Sequence, residues 1–260
     1  MAVLLAPVLV LLVLLSFASY HLRSYRRRYY VEIGRAEVGR IPSMPVQGFD
    51  PAFQLGPFGP TMAAEVHFIG HGGSVPGATS NTEAWILAVL AKKARAMFEF
   101  GTAGGRTTYL WARNSPPDAR VFSITLAPDQ REGYSRGARD SGSAVRAALA
   151  ESRYTSFLYT GTPVESKVTQ LYGDSKALDD AEYAGRFDLI FVDGSHAYSY
   201  VRSDSEKAFR MLAPGGIILW HDYKLSRGGS DVVRYLDEVH GERPLVRLAG
   251  TTLVAWRAGT

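Results

Sequence analysis

Two runs in this chain, FDLIFV at 187–192 and GIILW at 216–220, are apolar at almost every position. A strand with one face in water alternates apolar and polar residues. A run without that alternation is short enough to be a strand only if both faces are buried. Between the two lies YSYVRSDSEKAFRML, whose apolar residues recur at helical spacing, with Pro214, Gly215 and Gly216 expected to close it. Strand, helix, strand is the crossover that a parallel sheet requires. That unit limits the chain more than any other feature: it implies an open sheet covered on both sides by helices.

The same alternation runs through the C-terminal two thirds. SNTEAWILAVLAKKA reads as a helix with Ser80 or Asn81 as N-cap and Glu83 in its first turn. RAMFEFG is a buried strand, RTTYLWARNS a helix, RVFSITLAP a strand and AVRAALAESR a helix. SKVTQLYGDS holds a strand ending near Tyr172, and SDVVRYLDEVHG is a helix. PLVRLAG and TTLVAWRA are joined through Gly250 with no room for a crossover, so they must pair antiparallel. The expected architecture is a Rossmann-like, doubly wound α/β domain over residues 79–260. Its sheet is mostly parallel and seven-stranded, with an antiparallel last pair.

The N-terminal part is different. No charge occurs from Ala2 to Tyr20, a length that as a helix spans roughly 28 Å, close to the hydrocarbon thickness of a bilayer. Arg23, Arg26, Arg27 and Arg28 follow, with Tyr20, Tyr25, Tyr29 and Tyr30 among them, as suits a headgroup layer. A cleaved signal peptide would carry its positive charge before the apolar core and small residues after it; neither holds here. Residues 1–30 are therefore expected to be a single-pass anchor in the cytoplasmic (inner) membrane. The positive flank places the C-terminal domain in the cytoplasm. Residues 31–78 are rich in Gly and Pro and read as an irregular linker and cap, with a short strand at AAEVHFIG. The net charge is +4, and without the four juxtamembrane arginines acids and bases balance, so no global basic bias points to nucleic acid. The absence of cysteine excludes disulfides, zinc–thiolate sites and a cysteine nucleophile.

In open α/β sheets ligands bind beyond the carboxyl ends of the strands. FEFGTAGGRTT is such an end. Gly101, Gly104 and Gly105 let backbone approach a ligand, the free N–H groups of the following helix favour an anion, and Glu99 supplies the opposite charge. An anion site beside a carboxylate suits a zwitterionic amino-acid moiety. The spacing G-x-x-G-G is not the dinucleotide G-x-G-x-x-G, and no acid ends the next strand. Asp193 and His196 share one strand end, and His221 and Asp222 share the next. Three roles fit these four side chains. One is a divalent metal site on Asp193 and Asp222. Another is general base catalysis by His196 or His221. The third is structural capping.

FEFGTAGGRTT, YGDS, FDLIFVDGSHAY and LAPGGIILWHDY, in this order, resemble the class I S-adenosylmethionine-dependent methyltransferases, and within them the small O-methyltransferase-like group with a D-G-x-H-x-Y motif. The resemblance covers about residues 79–260. It implies S-adenosylmethionine as cofactor, with Glu99, Gly101, Thr102, Ala103 and Gly105 around its methionine end. It puts Asp174 and Ser175 on the adenine side and Asp193 facing the reacting methyl. Catalytic roles fall to Asp193, His196 and His221. Ala103 stands where the family pattern has glycine, and Thr125 or Leu126 stands where an acid for the ribose is expected, with Asp129 a few residues on. Similarity to catechol-type enzymes would add a magnesium ion on Asp193 and Asp222, although their second-strand pair is acid then amide and here it is His then Asp. Tyr198 and Tyr223 suit an aromatic wall; Trp220 reads first as core, with the wall as its alternative, and His67 and His71 read first as solvated loop residues, with the acceptor side as theirs. The expected activity is methylation of a hydroxyl on a small or lipid-like acceptor. The other reading is a non-catalytic accessory subunit of a membrane complex, respiratory or photosynthetic.

Overall fold

The computed structural model describes residues 2–32, 37–57, 59–69, 79–225 and 229–259. Helix α1 (Ala2–Glu32) stands apart from the rest; its window Val8–Arg27 has a mean hydropathy of 1.5 and none of it is buried in the protein. Its length and apolar composition are those of a membrane span or of a signal sequence.

The domain is an eight-stranded sheet. Its strands are β1 (Ser43–Met44), β2 (Ala96–Phe100), β3 (Arg120–Thr125), β4 (Val168–Tyr172), β5 (Phe187–Val192), β6 (Leu212–Trp220), β7 (Val246–Leu248) and β8 (Val254–Arg257). They lie in the order β1-β7-β8-β6-β5-β2-β3-β4. Strands β2 to β6 are mutually parallel, and β8 runs antiparallel to both neighbours, β6 and β7. Helices α2 (Asn81–Ala91), α3 (Arg106–Asn114), α4 (Gly142–Glu151), α5 (Tyr198–Met211) and α6 (Asp231–His240) connect them. The doubly wound, mostly parallel sheet with its antiparallel closing pair is as the residue pattern predicts.

The sheet is buried on both sides, for the reason read from the apolar runs. Met97, Leu189, Phe191 and Leu219 point to a core shared with Ile86, Leu87 and Trp111 of α2 and α3. Their chain neighbours Phe98, Phe100, Ile190, Val192, Ile218 and Trp220 point the other way, to Val201 and Ala208 of α5 and Leu236 of α6. Each fully buried side chain of this size is worth roughly 1.5–3 kcal/mol relative to water. Ser80 caps α2: its hydroxyl accepts from Glu83 N–H, and the Glu83 carboxylate accepts from Ser80 N–H at 2.8 Å.

Three expectations need correction. The sheet has eight strands, not seven, because residues 43–44 of the segment read as irregular pair in parallel with β7. That strand is only two residues long, too short to show a period of its own. Arg247, buried beneath it, donates to Ser43 Oγ and to Thr251 O and so ties the segment to the β7–β8 hairpin. The strand expected at AAEVHFIG does not form over its described residues: Met62–Ala64 is a 3-10 turn and residues 65–69 have no regular structure, with the backbone N–H and C=O of His67 paired to the Asn114 side chain instead of a strand. Finally, Pro214, Gly215 and Gly216 do not close α5. The helix ends at Met211, Leu212 is already extended, and the three residues make an irregularity inside β6.

Candidate active site

The crevice lies at the carboxyl ends of β2, β3, β4 and β5. The β2–α3 turn is shaped by close backbone packing. A Cβ on Gly101 (φ +97°) would sit 2.3 Å from Asp193 O, and one on Gly105 (φ +79°) 2.9 Å from Phe157 Cβ. Glycine is thus required at both positions. Ala103 departs from the family pattern and adopts a left-handed φ of +43°, a conformation that costs a non-glycine residue about 1 kcal/mol.

The crevice has two lobes. The first is lined by Thr125, Leu126, Gly173, Asp174 and Ser175 from the strand ends and by Tyr134 and Tyr200. The second is lined by Thr79, Glu99, Thr102, Arg106, Thr107 and His196, together with the end of α4. Gly101, Ala103, Glu151 and Asp193 border both. Glu99, Gly101, Thr102, Ala103, Asp174, Ser175, Asp193 and His196 are therefore brought together, while Gly105 shapes the turn without lining either lobe.

Glu99 is buried and accepts from Thr108 Oγ1 and, at 2.9 Å, from Ser123 Oγ. Burial pushes its pKa up to about 8, against the pull of the two hydroxyls and with Asp193 adding to the rise. Thr102 Oγ1 shares a 2.7 Å hydrogen bond with Ser123 Oγ and receives Gln170 Nε2 at 3.0 Å. Arg106 donates to Thr79 O and to Asn81 Oδ1. Asp174 accepts from Lys176 N–H and Tyr200 OH, each at 2.9 Å.

Four ionisable groups meet at the tips of β5 and β6, joined by a fifth from α2. His221 Nδ1 lies 3.0 Å from Asp193 Oδ1 and 3.4 Å from Asp222 Oδ1, while its Nε2 lies 3.5 Å from Glu83 Oε2. His196 Nε2 is 3.3 Å from Asp222 Oδ2 and 3.7 Å from Asp193 Oδ1. Lys224 Nζ donates to Asp222 Oδ1 at 2.6 Å. Burial works against charge on His221, but Asp193, Glu83 and Asp222 outweigh it and hold the imidazole well above its ordinary pKa. The same contest raises His196, with Asp193 and Asp222 prevailing over burial. Asp193 is held at about 2: burial opposes its charge, and His221 and His196 more than offset that. Glu83 is lowered despite burial by His221 and by the Thr252 and Ser80 N–H groups.

These contacts separate the expected catalytic residues. Asp193 and His196 line the crevice, whereas His221 is buried behind Asp193 and lines neither lobe. They also correct the metal pair. A divalent ion takes oxygen ligands at about 2.0–2.6 Å. Here His221 Nδ1 stands between Asp193 and Asp222, and Lys224 caps Asp222. The protein's own cationic groups already serve the carboxylates, and the donor set does not fit a magnesium ion. Among the described residues no group of three or more His, Asp or Glu is arranged to hold a metal.

The expected aromatic wall is corrected as well. Arg139 and Arg234 both lie over the Tyr198 ring, at 3.8 and 4.4 Å from its centroid, and its hydroxyl donates to Glu238. Tyr223 follows Asp222, whose φ of +62° turns the chain; its hydroxyl donates to Asp237 and accepts from Ile41 N–H. Trp220 is core and donates to Ser205 Oγ at 2.8 Å. The wall is built instead by Tyr134 and Tyr200, stacked with ring centroids 4.5 Å apart. His67 pairs through its backbone with Asn114 and does not line the crevice; His71 lies outside the described residues. Asp129 is exposed in the 3-10 turn Pro128–Gly133 and borders neither lobe. Glu83, Glu151, Tyr134 and Tyr200 went unread as site residues. Glu83 announces itself only as a helix cap, and the others sit on helices and loops whose distance from the strand ends no local pattern reveals.

Residues 98–223 match the family model described as a methyltransferase domain. A protein of Sinorhizobium fredii, y4gI, is 37% identical over 70 residues, which is 27% of this chain; the chain thus spans only 8% of that relative's length. Among solved structures, a putative O-methyltransferase from Klebsiella pneumoniae aligns at 19% identity over 70% of this chain and 82% of its own, with a TM-score of 0.48. TomG from Streptomyces achromogenes, an O-methyltransferase of tomaymycin synthesis in complex with S-adenosylmethionine, aligns at 22% identity over 70% and 82%, with a TM-score of 0.46.

Proposed function

We propose, from the premise that residues 98–223 match a methyltransferase domain, that this chain transfers a methyl group from S-adenosylmethionine to a hydroxyl of a small or lipid-like acceptor. The observation that carries the reading is the shared border of the two lobes. There the β2–α3 glycine turn, which admits close backbone approach, meets Asp193 and, in the second lobe, His196. S-adenosylmethionine supplies an already activated methyl, so the protein has to hold an acceptor oxygen in line, exclude water and take one proton.

His196 is the imidazole that lines the crevice, with its buried Nε2 turned toward Asp222 and Asp193. It takes the hydroxyl proton on its other ring nitrogen, Nδ1, while Asp222 and Asp193 at Nε2 steady the imidazolium that forms. His221 offsets the charge of Asp193 and fixes its carboxylate. In the crevice, Thr102, Ala103, Arg106 and Thr107 would hold the amino-acid end, and Asp174 and Ser175 the base. Helix α1 anchors the chain in the cytoplasmic membrane with the domain on the cytoplasmic side, beside acceptors that partition into lipid.

The test is calorimetry of S-adenosylhomocysteine binding to the detergent-solubilised full chain. Transfer of labelled methyl from S-adenosylmethionine to membrane extracts follows. Micromolar binding and label in a base-stable ether support the reading; no binding at millimolar ligand ends it.

A further inference from the structure

The two lobes meet at a waist, and among the described residues four border both: Gly101, Ala103, Glu151 and Asp193. Two of these carry a polar side chain. Asp193 is committed to His221 at 3.0 Å and faces His196 at 3.7 Å. Glu151 is the last residue of α4, is exposed, and makes no hydrogen bond or ion pair among the described residues. Around it the last turn of α4 presents small side chains to the crevice, Ala148 to the first lobe and Ala147 and Ala150 to the second. A ligand can therefore pass close beneath the helix end with a free carboxylate above it.

The proposed cofactor has a purine at one end, an amino acid at the other and a vicinal diol between. If its ends occupy the two lobes, the diol lies at the waist. A carboxylate offers two acceptor oxygens to the two hydroxyl donors of a diol, and charge-assisted bonds of this kind are among the stronger ones. The end of β3 offers no acid for this: Thr125 and Leu126 line the first lobe, and Asp129 is exposed away from it.

We propose that Glu151 is the carboxylate that accepts the ribose hydroxyls of the cofactor, supplied by the end of α4 where β3 has none. This assignment rests on the methyltransferase reading and is tested apart from it. Binding of S-adenosylhomocysteine and of its 2′-deoxy counterpart is measured by calorimetry on the full chain in detergent. Wild type, Glu151→Gln, Glu151→Ala and Asp129→Asn are compared. A site built to pair a hydroxyl rejects the analogue lacking it, so the wild type is expected to prefer the ribose form by about tenfold or more. Both Glu151 variants shrink that ratio toward one, and Asp129→Asn leaves it at the wild-type value. Glu151 is exposed at a helix end, and unchanged thermal unfolding verifies that its variants fold. A wild-type ratio of one, a ratio that survives Glu151→Ala, or a ratio that collapses in Asp129→Asn overturns the assignment while leaving the methyltransferase reading intact. Failure of both ligands to bind overturns that reading and this inference with it.

Discussion

Glu83→Gln changes one atom and should reveal how the buried charges hold the site together. Glu83 Oε1 accepts from Thr252 N–H and Oγ1 at 2.7 and 2.8 Å, and Oε2 accepts from Ser80 N–H at 2.8 Å and faces His221 Nε2 at 3.5 Å. The amide oxygen of glutamine can keep the Thr252 bonds. Its NH2 then opposes two N–H donors, and the negative charge beside His221 is gone. The gross attraction of unit charges at this distance is about 5 kcal/mol at an effective dielectric of 20, and breaking one partner of a buried pair typically costs roughly 3–5 kcal/mol. We expect a loss of about 4 kcal/mol, which for a domain of this size lowers the unfolding midpoint by roughly 8–16 °C. The pH dependence carries the argument. Glu83 is held below its ordinary 4.5, so its contribution is present above about pH 4.5 and lost as pH falls through the lowered value. His221 is held above its ordinary 6.5, so its contribution is present below about pH 6.5 and lost as pH rises through the raised value. The deficit of Glu83→Gln should therefore be largest near pH 5–7 and shrink on both flanks. Thermal unfolding of wild type and variant from pH 4 to 10 measures it. A deficit that stays flat across that range, or none at pH 6, would refute the charge clamp.

Gly101→Ala places a Cβ 2.3 Å from Asp193 O and 2.5 Å from Gly194 Cα, both backbone, at a φ of +97°; the tips of β2 and β5 must part. A stability loss of about 2–4 kcal/mol and at least tenfold weaker S-adenosylhomocysteine binding should follow, and full retention of both would contradict the packing described. His196→Gln should lower kcat by roughly 10²–10⁴ with ligand affinity held, as stopped-time methyl transfer and calorimetry together can show. Asp222→Asn removes a carboxylate that raises His196, so the acid limb of the kcat/KM profile should move to lower pH; movement to higher pH would exclude His196 as the base.

Much of the fold was legible because burial on both faces leaves a direct mark on composition. The runs at 187–192 and 216–220 have no polar side to show, and the Ser80/Glu83 capping box marks the start of α2 with two residues. The β2–α3 turn was legible for the same kind of reason: a positive φ and a missing Cβ select glycine at Gly101 and Gly105. What could not be read depends on chain segments far apart. Strand β1 exists only because β7 offers an edge and Arg247 reaches Ser43 across 204 positions. Glu83 joins the site because the hairpin turn at Thr252 and the tip of β6 both fold against it. His221 and Asp222 show two ligand-type residues in a row, but not that an imidazole nitrogen would stand where an ion might. Tyr198 and Tyr223 have the right chemistry for a wall and face α6 instead, drawn to Glu238 and Asp237.

The docking of residues 37–44 onto the sheet edge has a consequence for how far the domain could stray from a membrane. Only four residues separate the end of α1 from this secured segment. Five peptide steps can span no more than roughly 18 Å. With α1 in a bilayer as proposed, the domain cannot swing out into bulk solution on a long leash. It would stay near the headgroups, and an acceptor of the proposed kind, diffusing in the plane of the lipid, would encounter it by a two-dimensional search.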